Sequence, residues 1–226
     1  MTRSVLFDTE TTGLDPLTGD RVIEIAAIEL DNDLPTGRVL HHLIDPEREI
    51  PEAATRVHGF TRAHLLGQKV FAEIADDILE FFGSDPLVAH NAPFDFGFLD
   101  AEFTRIGLPR LDRARMIDTL AIAKQKFPGL PNSLDALCRR FTIDLSERTS
   151  HNALLDCKLL SEVYIELTGG RQRGLELKQS RIVGQKSYQR PTHRTPHAFP
   201  LSPHDIEAHE ALLDSIKDPL WRREDP

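Results

Sequence analysis

The chain has 226 residues, 40% of them hydrophobic, and carries 27 Lys and Arg against 36 Asp and Glu, a formal net charge of −9. That size suits one core of roughly 150 to 200 residues with an appendage; no apolar run reaches the roughly 20 residues of a membrane span, and the start MTRSVLFD lacks the order of a secretory signal. The expectation is therefore a soluble cytoplasmic protein whose two cysteines, Cys138 and Cys157, are free thiols, too few for a zinc cluster or a disulfide framework.

In chain order, the apolar run Ser4–Asp8 reads as a buried strand, Val22–Leu30 as a second and Val39–Ile44 as a third, with turn residues in 15–20 and 31–37. Three successive strands suggest a meander. The pattern then changes to helix and strand: Phe71–Phe82 helical, Leu87–Ala89 extended, Pro93–Ile106 helical, and two more helices at Asn132–Phe141 and Asn152–Leu167 ending at Thr168-Gly169-Gly170. Antiparallel strands followed by βα units predict an α/β fold with a mixed sheet flanked by helices.

Beyond residue 170 the composition shifts. Residues 171–200 hold seven Lys or Arg against one Glu and are interrupted by Pro191, Pro196 and Pro200, which suits a flexible basic linker; residues 201–226 hold three against seven, leaving 17 against 28 in residues 1–170. From Ser202, apolar Ile206, Leu212, Leu213 and Ile216 suggest a short helix before Pro219-Leu220-Trp221. A helix that short is marginal alone and is expected to dock on a partner. The expected domains are thus 1–170, 171–200 and 201–226.

Three short segments carry the chemistry. In FDTETTG, Asp8 and Glu10 are two residues apart and leave a strand on one face, a hard-oxygen cradle for Mg²⁺ or Mn²⁺, while Thr9 and Thr11 leave on the other. Thr11, Thr12, Gly13 and Leu14 then offer hydroxyls, amides and an apolar tip to a nucleotide end. In HNAPFD, Asn91 reads as a helix N-cap, Pro93 falls in the first turn, and Asp95 stands where the helix dipole favours its charge. Phe94 beside it is either a base-stacking or a core aromatic. In HNALLD, His151 and Asp156 would lie about 140° apart on one regular helix, so His151 is assigned to the loop entering it. An imidazole with an ordinary pKa near 6.5 suits proton abstraction near neutrality. Brought together, four carboxylates repel, and two divalent cations roughly 3.5–4 Å apart would offset that charge.

With these segments, the chain resembles the histidine subclass of the DEDD exonuclease superfamily, of ribonuclease H-like fold, and in particular the proofreading epsilon subunits of bacterial DNA polymerase III. The resemblance runs from Ser4 to Gly170 through FDTETTGLDP, VHGFT, HNAPFDFGFL, FPGLPNSLDALCRRF and RTSHNALLDCKLLSEVY, and resumes in EAHEALLDSI and PLW. It implies that Asp8, Glu10 and Asp156 hold a tighter metal, that Asp8 also reaches a second supported by Asp95, and that His151 is the general base. It also puts His58 near the terminal nucleotide of a single-stranded or frayed DNA 3′ end. The implied reaction releases nucleoside 5′-monophosphates by two-metal hydrolysis.

In the tail, Gln172, Leu175 and Leu177 resemble a sliding-clamp-binding peptide, weakened by Leu177 in place of an aromatic ring. Residues Ile206–Trp221 match the region by which epsilon subunits join the polymerase III alpha subunit, with Trp221 as the anchor. A small accessory subunit is left open. The alternatives are a free-standing DNA- or RNA-trimming nuclease, which the acidic body and docking-like tail oppose, and an inactive scaffold between polymerase and clamp, which five chemically competent positions oppose.

Overall fold

A computed structural model describes residues 2–146, 148, 150–169 and 200–222. They fall in two compact units, 1–176 and 177–226. The clamp-like residues Gln172, Leu175 and Leu177, and nearly all of the expected linker, lie outside the described residues.

The first unit is built on a five-stranded sheet in the order β3-β2-β1-β4-β5. Strands β1 (Arg3–Thr11), β2 (Val22–Asp31) and β3 (Leu34–Leu43) form the expected antiparallel meander; β4 (Leu87–Ala89) and β5 (Met116–Asp118) add on parallel to β1. One strand boundary differs markedly from the sequence reading. Strand β3 begins at Leu34, because the turn is only Asn32 and Asp33, both at positive φ, the backbone that a two-residue hairpin requires. The polar, Gly-containing stretch 34–37 therefore pairs as strand at an exposed edge. Four elements between the expected ones carry no strong period and went unread: α1 (Glu52–His58), α2 (Arg62–Leu65), β5 and α5 (Thr119–Lys126).

Helices cover both faces. Odd-numbered Val5 and Phe7 of β1 pack with α3 (Phe71–Phe82) and α4 (Ala92–Arg105), while even-numbered Leu6 packs with α5, α6 (Leu134–Phe141) and α7 (Ala153–Thr168). This alternation fixes which side Asp8 and Glu10 face: that of α7. Helix α6 starts two residues later than expected and α7 one, since Ser133 and Asn152 are caps whose side chains accept from Ala136 N and Leu155 N. Cys138 and Cys157 are free and buried, as expected.

In the second unit, α8 (Pro203–Ser215) is capped by Ser202, and a short 3₁₀ turn at Leu220–Arg222 follows. Arg222 pairs with Glu210 and Asp214, tying that turn to the helix. Ile206, Leu212, Ile216 and Trp221 are exposed, Trp221 at 74%, whereas Leu213 is buried. Among the described residues, no helix is long and apolar enough to cross a membrane.

Phe7, next to Asp8, lies between Phe82 and Phe96 with ring centroids 5.2 and 5.8 Å away. Phe7→Ala should cost about 3–5 kcal/mol of stability, measured by denaturant unfolding; a loss below about 1 kcal/mol would mean that this core recloses around the gap.

Candidate active site

The five chemistry-bearing residues reach one cleft from three directions. Strand β1 delivers Asp8 and Glu10, α4 delivers Asp95, α7 delivers Asp156, and the loop before α7 delivers His151. The cleft, of about 460 Å³, is lined by all five together with Thr11, Leu14, His58 and Phe94. Glu10, His151 and Asp156 offer ligand atoms within 4.8 Å of one another, a group that could hold a metal ion.

Each carboxylate has a distinct support. Asp95, 2% exposed, accepts from Thr9 N at 3.1 Å and Thr9 Oγ1 at 2.7 Å. Thr9 points away from Asp8 and Glu10, so β1 presents two carboxylates on one face and grips a third from the other. The start of α4 departs from expectation. Asn91 occupies the cap position, but at φ 66° its side chain makes no capping bond; Asp118 at the end of β5 instead accepts from Asn91 N (3.0 Å) and Ala92 N (3.3 Å). A left-handed residue directs its side chain away from the N2 and N3 amides, and a neighbouring strand supplies the acceptor instead.

The substrate candidates divide. Leu14 is an apolar tip, 85% exposed. Thr11 donates its hydroxyl to Gly13 O at 2.6 Å and so braces its own loop; Gly13 is required there, since a Cβ would fall 2.1 Å from Asp20 Oδ2. Phe94 packs on Phe98 with centroids 4.9 Å apart and also lines the cleft. His58, at the end of α1, is buried and accepts Phe60 N–H at Nδ1 (3.0 Å), which leaves Nε2 as the protonated nitrogen, buried without a hydrogen bond of good geometry. Burial lowers its pKa, against an opposing pull from Glu24 and the Thr11 backbone.

Comparison with known proteins follows the same outline. Residues 5–164 match the family model described as Exonuclease (RNase_T). The DNA polymerase III subunit epsilon of Escherichia coli K12 is 39% identical over 245 aligned positions covering 98% of each chain, and that of Rickettsia felis is 41% identical over 221 covering 95% of this chain and 96% of the relative. The chain belongs to this exonuclease family, in its epsilon-subunit branch. Among solved structures, exonuclease X in complex with 5′-overhanging duplex DNA aligns with TM-score 0.57 and 28% identity over 74% of this chain and 91% of that one. The zinc-bound exonuclease I complex with single-stranded DNA from Escherichia coli aligns with TM-score 0.65 at 20% identity over 76% and 41%, a likeness of fold.

The electrostatics of the exonuclease site are those of an under-neutralised cluster. Burial, then Asp95, Glu10, Asp156 and Glu24, push the Asp8 carboxyl well above its ordinary range. Burial takes Glu10 up to about 8 despite the opposing pull of His151, and Asp95 up to about 7 despite its bonds from Thr9. Asp156 behaves oppositely: burial raises it, but Arg148 and His151 overcome that and lower it. His151, with its side chain 49% exposed, is raised chiefly by Asp156, 3.4 Å away.

Arg148 escaped the sequence reading although it lies within the quoted RTSHNALLD segment. Its guanidinium holds both oxygens of Asp156 (2.6 and 2.7 Å), reaches Asp135 at 2.6 Å, and lies 3.0 Å from His151 Nδ1. A lone Arg three residues before His151 carries no spacing signal. A guanidinium drawn onto Asp156, with three neighbouring carboxyls held above their ordinary pKa, is the arrangement that an all-oxygen cation site produces, so the donor set fits divalent metals.

A pH dependence follows. Carboxyls whose folded pKa exceeds the unfolded value bind protons on folding, so Asp8, Glu10 and Asp95 contribute stability below about pH 4 that is lost as pH rises through their folded values. The Asp156 contribution is complete above about pH 4 and constant in that window. In chelator, Tm should therefore fall by on the order of 5 °C between about pH 5 and 8, and Mg²⁺ or Mn²⁺ should restore it. Thermal melts in matched buffers check this; a flat profile in chelator would count against carboxylate repulsion.

Proposed function

We propose that this chain is the proofreading 3′→5′ DNA exonuclease of a replicative polymerase, removing single nucleotides from a frayed 3′ end as nucleoside 5′-monophosphates. The observation that carries the reading is the convergence of Asp8, Glu10, Asp95, His151 and Asp156, from three separate segments, on one cleft. Asp8, Glu10 and Asp156 would hold one divalent cation, with Asp8 and Asp95 serving a second, Mg²⁺ or Mn²⁺. When bound, such a pair offsets the carboxylate charge and stabilises the attacking and leaving oxygens of an in-line displacement.

The chain's own residues do the rest. His151, exposed at the mouth of the cleft, takes the proton of the attacking water. His58 lines the cleft beside the terminal nucleotide; Phe94 and Leu14 enclose its sugar and base, and Thr11 holds the loop that carries Leu14. Selectivity for errors comes from fraying, because a mispaired terminus costs less to unpair and deliver to a single-strand site.

Access is the weak point of such a body. Residues 1–170 hold an excess of 11 acidic groups, and polyanion binding needs clustered Lys and Arg. A tether answers this: residues 171–200 as linker, with Gln172, Leu175 and Leu177 touching the sliding clamp, and residues 201–226 as the segment that docks on the polymerase alpha subunit. The exposure of Ile206, Leu212, Ile216 and Trp221 supports that role. A flexible linker gives an effective concentration in the millimolar range, which removes the need for intrinsic affinity. A cytoplasmic location fits this reading.

With Mg²⁺ or Mn²⁺, the purified protein should shorten a 3′-labelled single-stranded oligonucleotide one nucleotide at a time. Asp8→Ala should lower the rate by more than about a thousandfold and His151→Ala by about a hundredfold or more, both retaining alpha-subunit binding in pull-down. Activity of Asp8→Ala equal to wild type would overturn the metal assignment.

A further inference from the structure

Glu24 is the most deeply buried acidic residue near the cleft that the reaction does not use. It is 0% exposed, on β2, directly opposite Glu10 of β1 in the antiparallel register and on the same face of the sheet. Like charges facing each other across a strand pair are destabilising, and a buried carboxylate needs strong compensation. A position that repels a metal-binding glutamate has to return something for its charge.

What it returns is visible in its contacts. Glu24 Oε1 accepts from Asn152 Nδ2 at 2.8 Å and meets His41 Nε2 at 2.7 Å; Oε2 accepts from Ala153 N at 3.0 Å. Three donors converge on two oxygens, a demand that only an acceptor-only group satisfies. Simple helix capping does not account for it, since Asn152 Oδ1 already accepts from Leu155 N at 3.1 Å. The two residues gripped by Glu24 are those that immediately follow His151. On the other side, His151 N donates to Val57 O at 3.1 Å.

We infer that Glu24 is a positioning residue for His151: its carboxylate locks the Asn152–Ala153 pivot, so that an imidazole on an exposed loop keeps a fixed place over the cleft. Val57 and Glu24 thus hold the chain on either side of the His151 side chain, one by backbone and one by a side chain from the sheet. His41, on the edge strand, holds the Glu24 carboxylate from behind. The inference rests on reading His151 as the proton acceptor, and the test separates the two.

Glu24→Gln is isosteric but turns one acceptor into a donor that must face Ala153 N–H, Asn152 or His41. Asn152 cannot flip its amide to help without losing its bond from Leu155. In single-stranded DNA hydrolysis by the full chain, Glu24→Gln should lower kcat by roughly 30- to 100-fold, with KM within about twofold and Mn²⁺ affinity by calorimetry within about threefold of wild type. The loss of activity in His151→Ala alone tests the reading of His151. The role of Glu24 is tested by introducing Glu24→Gln into that background, where its cost should shrink to less than about threefold because the group it positions is gone. The same fold-loss in both backgrounds, a parallel loss of Mn²⁺ binding, or an unchanged kcat in the single variant would each overturn the proposal. If Glu24→Gln does not fold, as judged by circular dichroism, Asn152→Ala removes one of the same bonds and is put through the same cycle with the same criteria.

Discussion

Everything else in this structure depends on the mutual repulsion of carboxylates at the end of one buried strand. Asp8, Glu10, Asp95 and Asp156 share a cleft, and three of them are held above their ordinary pKa, Asp8 and Glu10 by burial and neighbouring carboxylates, Asp95 by burial and by Asp118. Such a cluster opposes folding and favours cations. The surrounding protein has to force the groups together and hold them in order until positive charge is supplied.

The fold does this by rigid, cross-element hydrogen bonding. Thr9 grips Asp95 from the far face of the strand that carries Asp8 and Glu10. Asp118 fixes the start of α4, Glu24 the start of α7, and Arg148 neutralises Asp156. Two of these four supports are themselves carboxylates, placed where they accept from backbone N–H groups at helix starts. Negative charge is used as scaffolding around a negatively charged site, workable because each supporting carboxylate has its donors in place.

Much of this was legible in the sequence, for identifiable reasons. The meander, α3, α4 and α7 have strong apolar periods, and the two-residue spacing of Asp8 and Glu10 reports a shared face directly. The weakly patterned α1, α2 and α5, and the three-residue β5, have too little apolar repeat to be read. Among candidate site residues, Asp8, Glu10, Asp95, His151 and Asp156, which the fold brings to one cleft, stand out in the sequence because their motifs are compact. Glu24, Asp118 and Arg148 do not: Glu24 and Asp118 act through partners brought near only by the fold, at separations of 129 residues for Glu24 to Ala153 and 27 for Asp118 to Asn91, whereas Arg148 lies only eight residues from Asp156 but at no spacing that marks a role. Asn91 does occupy the N-cap position, but its left-handed backbone leaves the cap without a side-chain bond.

The acidic character of the first 170 residues bears on departure as well as arrival. A released nucleoside monophosphate is a small dianion, and it leaves a cleft walled by carboxylates inside a body with an excess of 11 negative groups. The field that discourages a polynucleotide from lingering acts in the same direction on the product. The acidity that keeps the body off a polynucleotide therefore also favours the clearing of a spent nucleotide.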